Sequence, residues 1–340
     1  MNNDRFAKDN RTYIIAEMNS SHNGNLDTAK KMIDSAAECG CDCVKFQSWT
    51  SDTLYSEEYY KNNPISERIV KKFSISEDGL KELCDYCRTK GIDFSSTPYS
   101  EKEVDFLADT LDVPFIKIAS MEINNPDFLK YIAGKNKPVI LSTGMSTIEE
   151  IEEAVRAIES TGNDKICILH CVSVYPADAG EINLMNIRML QDRFDKYRIG
   201  YSDHTIGHEV ACAAVALGAS VIEKHFTLDN SKMGMDNNMA TEPEEMKALV
   251  TACRNVARAM GSYDRVLSEN ERVQAAKMRR SVISARELHK GDVLSREDLE
   301  VKRPGDGIPP AMLPKLVGST IRKDYPKGYQ IKEEDIDLRR

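Results

Sequence analysis

The stretch RIGYSDHTIGHEVACAAVALGASVIEKHF, residues 198–226, decides the fold. It begins with a short β-rich run, passes through a helical pattern and ends with a second β-rich run. Two strands joined by a helix form a βαβ unit, and the strands of such a unit are parallel. The rest of the chain decides whether the parallel sheet is open or closed.

Eight β-rich runs occur along the chain, and helical patterns fill the gaps between them. The runs are residues 13–18, 43–49, 93–97, 115–120, 138–143, 167–173, 198–202 and 221–226. Strand and helix alternating eight times predict a closed (β/α)8 TIM barrel of the α/β class. A doubly wound open sheet is the alternative, but no GxGxxG motif follows the first strand.

Local capping signals support two of the predicted helices. The first, over residues 26–38, has a periodic apolar face, and Gly40 stands where a C-cap glycine is expected. Ser146, with Glu149 three residues later, is predicted to open the fifth helix as a capping box.

The chain predicts two domains. Residues 1–262 hold the barrel, and a charged, polar stretch over residues 263–280 is predicted to be a linker. Residues 281–340 are rich in short β-like runs, Gly and Pro, such as SVISA, KRPGDGIPP and LVGSTI. A β-rich segment of this size is marginal as an independent fold, so we expect it to dock on something.

The charge of the chain narrows the possible partners. A net charge of -9 argues against a nucleic-acid partner, which would demand a clustered basic surface. No apolar stretch approaches the length of a membrane span, and the N-terminus, with Asp4, Lys8 and Asp9, lacks a signal-peptide core. A small molecule is the expected partner.

The nine cysteines have no disulfide-scaffold spacing. An odd number of free thiols is typical of a reducing compartment, so we expect a cytoplasmic protein. Cys84 and Cys87 form a lone CxxC inside an amphipathic helical stretch, which favours packing over zinc or redox chemistry.

Polar residues follow nearly every predicted strand at its carboxyl end, where TIM barrels carry their catalytic groups. They are Glu17, Lys45, Gln47, Ser96, Thr97, Lys117, Ser120, Glu122, Ser142, Thr143, Ser173, Tyr175, Ser202, Asp203, His204, Glu223 and His225. Side chains two residues apart share a strand face, so three polar pairs can point inward together: Lys45 with Gln47, Ser202 with His204, and Glu223 with His225.

Two of these residues, Lys45 and Lys117, predict an anion site. Burying them in a closed barrel costs several kcal/mol unless an anion neutralises them. Together with the hydroxyls of Thr97, Ser120, Ser142 and Ser202 they suit a phosphate or a carboxylate. Structural ion pairs are the alternative.

Two histidines predict a metal site. His204 and His225 end neighbouring strands, so their imidazoles can converge on one ion. Oxygen ligands from substrate or water would complete a six-coordinate site, which favours Mn2+ or a similar ion such as Mg2+ or Co2+. The alternative is a pair of core histidines bonded to Asp203 and Glu223, and we interpret His22, His170, His208 and His289 as structural or exposed.

The motifs taken together resemble those of the bacterial sialic acid synthases and their relatives that make legionaminic and pseudaminic acids. The motifs, given with their first residues, are IIAE at Ile14, HNG at His22, VKFQ at Val44, SSTP at Ser95, IKIAS at Ile116, STGM at Ser142, HCVSVYP at His170, YSDHT at Tyr201, EKHFT at Glu223 and VKRPGDG at Val301. The resemblance covers essentially the whole chain. It implies a TIM barrel followed by a C-terminal antifreeze-like (SAF, β-clip) domain that crosses to the partner subunit, and hence a domain-swapped homodimer.

The resemblance also implies roles for individual residues. Phosphoenolpyruvate would contact Lys45, Thr97, Lys117, Ser120, Ser142, Ser173 and Ser202. The sugar would contact Gln47, Tyr175 and Asp236, and its N-acyl group would contact Arg303 of the partner's small domain. His204 and His225 would hold the metal. Ser173 departs from the family, which often has Asn in this motif, and the segment 229–241 also differs around its aspartate.

The function implied is condensation of phosphoenolpyruvate and water with N-acetylmannosamine or a related N-acylated hexose. The metal would polarise the sugar aldehyde, Glu17 or Glu122 would activate water, and phosphate would leave by C–O cleavage. A legionaminic or pseudaminic acid synthase acting on a 2,4-diacetamido-2,4,6-trideoxyhexose is an alternative. Further alternatives are a synthase acting on a phosphorylated aldose, and a non-catalytic sugar-binding protein with an antifreeze-like module.

Overall fold

The computed structural model describes residues 11–338. Asp4, Lys8 and Asp9, on which the expectation of no signal peptide depends, lie outside the described residues. The chain divides into two compact units, Met1–Gly261 and Ser262–Arg340. Within the described part of the chain, no helix is both long enough and apolar enough to cross a membrane.

The first unit is built around eight parallel strands, which confirms the predicted barrel. The strands are β1 Tyr13–Glu17, β2 Cys43–Gln47, β3 Asp93–Thr97, β4 Ile116–Ile118, β5 Val139–Ser142, β6 Ile166–Cys171, β7 Arg198–Asp203 and β8 Val221–His225. Their order in the sheet is β3-β2-β1-β8-β7-β6-β5-β4, so β8 returns to pair with β1. A doubly wound sheet, whose order reverses at a switch point, is excluded.

The barrel closes between β3 and β4 without a backbone ladder among the described residues. The Ser95 hydroxyl bridges this seam by donating to the Phe115 carbonyl at 2.8 Å. The remaining neighbours pair in parallel registers that fix the active end of the barrel. For example, Glu17 lies opposite Lys45 on one side and opposite His225 on the other.

Helices cover the outside of the strands. They are α1 Leu26–Cys39, α2 Ser51–Leu54, α3 Glu57–Asn62, α4 Pro64–Phe73, α5 Glu77–Lys90, α6 Glu101–Asp105, α7 Pro126–Gly134, α8 Ile148–Glu159, α9 Asn186–Arg193, α10 Glu209–Ala216 and α11 Pro243–Met260. The first ends as predicted, with Gly40 in the left-handed region at φ 87°. Cys84 and Cys87 are buried free thiols within α5, as their packing role predicts.

The capping box of α8 lies one residue later than predicted. Thr147, not Ser146, accepts the Glu150 N–H at 3.3 Å, and the Glu150 carboxylate accepts the Thr147 N–H at 2.8 Å. The Ser146 hydroxyl instead donates to the Gly144 carbonyl at 3.2 Å. Because the sequence offers Ser-Thr followed by Glu-Glu, two adjacent registers match the capping pattern, and the turn after β5 selects the second.

Two apolar layers stabilise this unit. The outer layer lies between strands and helices and contributes most of the buried apolar side chains. The inner layer fills the barrel and consists of Tyr13, Ile15, Cys43, Phe115, Ile140, Cys167, Leu169 and Val221. Buried polar side chains are concentrated at the carboxyl ends of the strands, so the barrel is a packed core with a polar surface at one end.

The second unit has its own small core. It contains α12 Glu269–Met278, β9 Ser281–Ser284, β10 Leu299–Lys302, α13 Leu313–Leu316, β11 Thr320–Ile321 and β12 Ile336–Asp337. The strands form two antiparallel pairs around buried side chains such as Val282, Leu288 and Leu299. Helix α12 occupies the middle of the stretch that the sequence presents as a linker.

Candidate active site

A cavity of about 310 Å3 opens at the carboxyl ends of the barrel strands. Fourteen of the polar residues singled out in the sequence line it. They are Glu17, Lys45, Gln47, Thr97, Lys117, Ser120, Ser142, Ser173, Tyr175, Ser202, His204, Glu223, His225 and Asp236. Two residues with an expected role do not line it: Glu122 is half-buried in the turn after β4, and Arg303 is exposed on the second unit. The strand-end residues Ser96, Thr143 and Asp203 are buried but do not line it either. The barrel thus gathers residues that lie more than two hundred positions apart.

Lys45 lies on the floor of the cavity in contact with a carboxylate. Its ammonium forms a direct ion pair with Glu17, donates to the Thr97 hydroxyl at 2.9 Å and lies 3.8 Å from Glu223. Burial lowers the pKa of Lys45, but Glu17 and Glu223 raise it overall, so this lysine is a cation at neutral pH. Burial outweighs Lys45 at Glu17 and raises the pKa of that carboxyl.

Lys117 lies on the same floor and is less completely paired. Its ammonium donates to Ser142 Oγ at 2.6 Å and to the Ile118 carbonyl at 3.0 Å, while Glu223 is 3.8 Å away. Burial, together with the repulsion from Lys45, lowers its pKa although Glu223 acts in the opposite direction. An anion beside Lys117 would therefore stabilise its charged form.

Glu223 is shared by the two lysines, which sequence reasoning did not foresee. Its carboxylate accepts the Ser202 hydroxyl at 2.9 Å, and the two lysines lower its pKa against the effect of burial. A ligand was expected to supply the neutralising charge, and the protein supplies part of it through Glu17 and Glu223. The anion site stays a prediction, and the distances of 3.8 Å between Glu223 and the lysines leave room for a ligand to compete.

A set of hydroxyls surrounds the lysines. Ser120 Oγ accepts the Gly144 N–H at 3.0 Å, and a Cβ on Gly144 would lie 2.1 Å from Ser173 Oγ. Glycine is required at residue 144 because the Ser120 and Ser173 hydroxyls, which follow β4 and β6, approach its backbone so closely. Ser173, the departure from the family pattern, is therefore packed against this close contact.

The two histidines lie side by side above the lysines. Their ring centroids are 5.3 Å apart, and Tyr175 covers both at 4.2 Å from His204 and 5.7 Å from His225. His204 Nδ1 donates to the Val172 carbonyl at 2.7 Å, which leaves Nε2 as the free ring nitrogen. Burial, reinforced by His204 and Lys45, holds the pKa of His225 well below its usual value, so its imidazole is neutral.

This donor set fits one divalent ion only if other ligands contribute. Among residues 11–338 there is no group of three or more His, Cys, Asp or Glu side chains arranged to hold a metal. A metal-ligating histidine commonly donates its second ring nitrogen to a backbone carbonyl, as His204 does. Burial lowers the pKa of His204, but the Cys171 thiol and the Val172 carbonyl raise it overall, so a cation would compete with a proton there.

Asp203 does not bind the histidines, so that part of the core-histidine alternative is wrong. It faces the outer side of β7 and pairs with Lys224 at 2.8 Å, because neighbouring residues of a strand point to opposite faces. The other histidines match their expected roles: His22 and His170 are buried, His208 is half-buried, and His289 is exposed.

The upper part of the cavity holds the residues expected to contact a sugar. Gln47 donates to Glu17 Oε1 at 3.1 Å and accepts the Tyr99 hydroxyl at 2.7 Å. Asp236 accepts a hydrogen bond from the Asn19 side chain, and burial raises the pKa of its carboxyl. These contacts join the loops after β1, β2 and β3 to the segment after β8.

Sequence reasoning missed several residues that line the cavity. They are Asn19, Trp49, Leu54, Tyr55, Tyr99, Met145, Cys171 and Met235. Glu223 was expected to point inward with His225, but its contact with the two lysines was not predicted. The aromatic and methionine residues lie in loops, where no periodicity indicates direction.

The fold and the cavity define a class of protein: a TIM-barrel enzyme that brings paired lysines, carboxylates and histidines to one mouth. The NeuB family model matches residues 32–265, and the SAF domain model matches residues 279–340. The chain belongs to the NeuB family of sialic, legionaminic and pseudaminic acid synthases, which are phosphoenolpyruvate-dependent condensing enzymes. The expected fold and enzyme class are confirmed, and a non-catalytic sugar-binding role is set aside.

Similar proteins extend over almost the whole chain. The N,N'-diacetyllegionaminic acid synthase of Legionella pneumophila is 39% identical, covering 96% of this chain and 94% of that protein. The protein of the same name from Campylobacter jejuni is also 39% identical, with 95% and 99% covered. Among solved structures, the N-acetylneuraminic acid synthetase of Leptospira borgpetersenii in complex with citrate is 33% identical. It superposes with a TM-score of 0.72 over 78% of this chain and 90% of that chain.

Proposed function

We propose that the chain joins phosphoenolpyruvate to an unphosphorylated N-acylated hexose and releases phosphate, with a 2,4-diacetamido-2,4,6-trideoxyhexose as its acceptor. The observation that carries the proposal is a pair of buried lysines in one cavity with two histidines, where Lys117 has no carboxylate nearer than Glu223 at 3.8 Å. The names of the two relatives that are 39% identical favour this acceptor over N-acetylmannosamine, which is the second candidate.

Phosphoenolpyruvate is assigned to the floor of the cavity. Its phosphate and carboxylate would bind the two ammonium groups and replace their long contacts with Glu223. The Thr97 and Ser142 hydroxyls, which accept hydrogen bonds from these lysines, would stay beside them. Ser120, Ser173 and Ser202 would donate to the remaining oxygens. Negative charge grows on the phosphate as its C–O bond breaks, and Lys45 and Lys117 are placed to stabilise it.

His204 and His225 would hold a divalent ion, with Mn2+ as the first to test. When bound, such an ion supplies Lewis-acid polarisation of the aldehyde oxygen, which makes C1 of the sugar electrophilic toward C3 of phosphoenolpyruvate. Tyr175, Gln47 and Asp236 would orient the sugar from the upper part of the cavity. The neutral His225 suits this role, since a protonated imidazole binds no cation.

Glu17 is the better candidate for activating water. The bond from C3 to the aldehyde carbon forms first, which leaves C2 electron-poor and an alkoxide that takes up a proton. The water oxygen then adds to C2 while one water proton passes to the Glu17 carboxylate. The C2 hydroxyl loses its remaining proton as the C–O bond breaks, so that phosphate leaves with the bridging oxygen and C2 becomes a ketone. Glu17 lines the cavity and its pKa is raised by burial, which makes it a stronger base than an exposed carboxylate. Glu122, the other candidate, has a pKa raised by burial but does not line the cavity.

The lining also favours an acceptor without phosphate. Among the described residues that line the cavity, the cations are Lys45 and Lys117, both on the floor. The upper part carries Leu54, Met145 and Met235, which suit the methyl group of a 6-deoxy sugar better than a phosphate.

A domain-swapped homodimer completes the proposal. Arg303 is exposed on the second unit, and the family resemblance implies that it reaches the N-acyl group in a partner's cavity. Mixing an Arg303→Ala chain with a Lys117→Met chain tests this, because a swapped dimer regains one intact site. Activity that stays absent in the mixed dimer would contradict the swap.

Isotopic labelling and a panel of acceptors test the reaction. Phosphoenolpyruvate labelled with 18O at the bridging oxygen is supplied with Mn2+ and each sugar in turn: the diacetamido sugar, N-acetylmannosamine and its 6-phosphate. We expect the label in released phosphate and the highest kcat/KM with the diacetamido sugar. Label in the sugar acid would refute C–O cleavage, and a preference for the 6-phosphate would refute the acceptor.

A further inference from the structure

The rim of the cavity after β2 and β3 is aromatic. We call Trp49, Tyr55, Tyr59, Tyr60 and Tyr99 the aromatic wall. Tyr55 and Tyr59 stack with ring centroids 4.4 Å apart, and Tyr60 lies edge-on to Tyr55 at 5.7 Å. The Trp49 ring lies edge-on to Tyr99 at 6.0 Å. Trp49, Tyr55 and Tyr99 line the cavity itself.

Trp49 has a buried hydrogen-bond donor that the protein leaves unused. The residue is 3% exposed, and among residues 11–338 none accepts a hydrogen bond from its Nε1. The indole can donate but cannot accept. Buried polar atoms are normally paired, and Trp49 lines the cavity, so a ligand group that accepts a hydrogen bond would satisfy this donor.

The surroundings of Trp49 define that group further. Tyr55 is 41% exposed and Tyr59 is 40% exposed, so the wall presents ring surface, and both rings contact Tyr60, which packs in the same cluster as Trp49. A group that accepts a hydrogen bond and also carries an apolar part matches both features. An acetamido substituent is such a group, with a carbonyl oxygen and a methyl.

The wall is held in place relative to the expected sugar site. Tyr99 donates to Gln47, which contacts Glu17 on the floor. Glu103, buried beside the rim, accepts the Tyr99 N–H at 2.6 Å and the Thr53 hydroxyl at 2.8 Å. These bonds tie the loop after β3 to α2, which carries Leu54 into the lining, so the wall is a preformed surface.

We propose that the aromatic wall recognises the second N-acyl group of a diacetamido acceptor. The carbonyl oxygen of that group accepts the Trp49 N–H, and its methyl packs against the tyrosine rings. The inference rests on the proposed function, in which Arg303 of a partner subunit contacts the other N-acyl group. It assigns to Trp49 the discrimination between acceptors with two N-acyl groups and acceptors with one.

The kinetic test compares two sugars with two variants of the full chain. Phosphate release is measured with phosphoenolpyruvate, Mn2+ and either the diacetamido sugar or N-acetylmannosamine. In Trp49→Phe, which keeps a ring but removes the donor, the ratio of the two kcat/KM values falls about 10- to 100-fold, mostly through KM of the diacetamido sugar. An unchanged ratio would overturn the proposal.

Val70→Ala is the matched control. Val70 packs in the same cluster as Trp49 and Tyr60 but does not line the cavity, so the change loosens the wall without removing a donor. The ratio stays at the wild-type value even where both rates fall. A ratio that falls as far as in Trp49→Phe would show that packing, not the donor, sets the preference, and would overturn the assignment.

Fluorescence gives a readout independent of turnover. Trp49 is the single tryptophan of the chain, so its emission reports on the wall alone. Titration with the diacetamido sugar shifts the emission to saturation at lower concentration than N-acetylmannosamine does, and equal titrations would contradict the assignment. The proposed function fails separately, if the unmodified chain releases no phosphate with the diacetamido sugar.

Discussion

Strands β7 and β8 carry buried charge on both of their faces, and the two faces differ in how completely the charge is paired. On the outer face, Lys224 donates to Asp203 at 2.8 Å and also to the Thr205 carbonyl. The second oxygen of Asp203 accepts bonds from the Tyr201 hydroxyl and from the Thr205 N–H and hydroxyl. Every charged atom of this outer pair has a partner at hydrogen-bond distance.

On the inner face, one residue away, pairing is looser. Glu223 lies 3.8 Å from each of the two lysines on the floor, and burial and repulsion shift the pKa of Lys117 downward. The outer pair has no unpaired charged atom that could bind a ligand. The inner residues make long contacts, which a ligand can replace with its own. The comparison teaches that in this barrel incomplete pairing, more than burial of charge, marks the site.

The largest loss of stability is expected when the outer ion pair between Lys224 and Asp203 is broken. Lys224→Met leaves Asp203 ionised and buried without its cation, which we expect to cost about 3–5 kcal/mol of unfolding free energy in urea denaturation. Activity per folded molecule changes little, because Lys224 faces away from the cavity. Lys61→Met is the control, since its exposed ion pair with Glu57 contributes under about 1 kcal/mol.

A lysine-to-methionine substitution on the inner face is expected to lower activity strongly and stability only weakly. Lys117→Met removes a cation from the floor, so kcat/KM for phosphoenolpyruvate falls about 10²- to 10³-fold, the loss typical of one electrostatic contact in a transition state. The loss of stability is smaller than in Lys224→Met, because Lys117 is already destabilised as a cation. If Lys117→Met unfolds as readily as Lys224→Met and keeps its activity when folded, the contrast between the faces is wrong.

The periodicity of the sequence predicts which strand residues point inward and which point outward. Alternation places Glu223 and His225 inward and Lys224 outward, and it locates all eight strands, because one face of each strand must differ from the other. Alternation does not give register. That Glu17 lies opposite Lys45, and Ser202 opposite Glu223, depends on how neighbouring strands slide, so the internal counter-ions could not be predicted.

Loops limit prediction more strongly than strands do. The Trp49 and Tyr99 side chains reach the cavity through turns whose directions carry no periodic signal, so the aromatic wall was invisible in the sequence. The register of the α8 cap was ambiguous for a similar reason, since Ser146 and Thr147 each have a glutamate three residues later. Strand residues of the site were located by periodicity, whereas loop residues such as Tyr175 and Asp236 were located only through the family resemblance.

The third prediction concerns a neutral group on the outer side. His22 is buried against Phe46, and burial lowers its pKa to about 4, although a backbone contact with Asn19 acts in the opposite direction. The unfolded chain binds a proton near pH 6.5 and the folded chain only near pH 4, so stability is full above pH 6.5 and is lost as pH falls. This group accounts for about 3 kcal/mol by pH 4, measured as a midpoint shift in urea.

A variant isolates this histidine from the other buried ones. His22→Asn can still accept the Gly24 N–H, which His22 Nδ1 accepts at 3.0 Å, but it does not titrate. Between pH 6.5 and 4 its stability should decline less steeply than that of the unmodified chain. Parallel curves for the two proteins would show that His22 is not the group being protonated.

The smallest loss of stability is expected in the loop after β5, which joins the cavity to the outer helix α8. Ser142 and Met145 of this segment line the cavity, while Thr147 two residues later caps α8 on the outside. Thr147→Ala removes one hydrogen bond from the helix end and should cost about 1 kcal/mol in unfolding free energy, with kcat/KM nearly unchanged. Ser146→Ala, one position nearer the cavity, should cost less stability because the Ser146 hydroxyl bonds only to Gly144.

A larger stability loss for Ser146→Ala would restore the capping register predicted from the sequence. A kinetic loss in Thr147→Ala would show that the cap helps to hold the floor, so that the outer layer and the site are not separable at this loop.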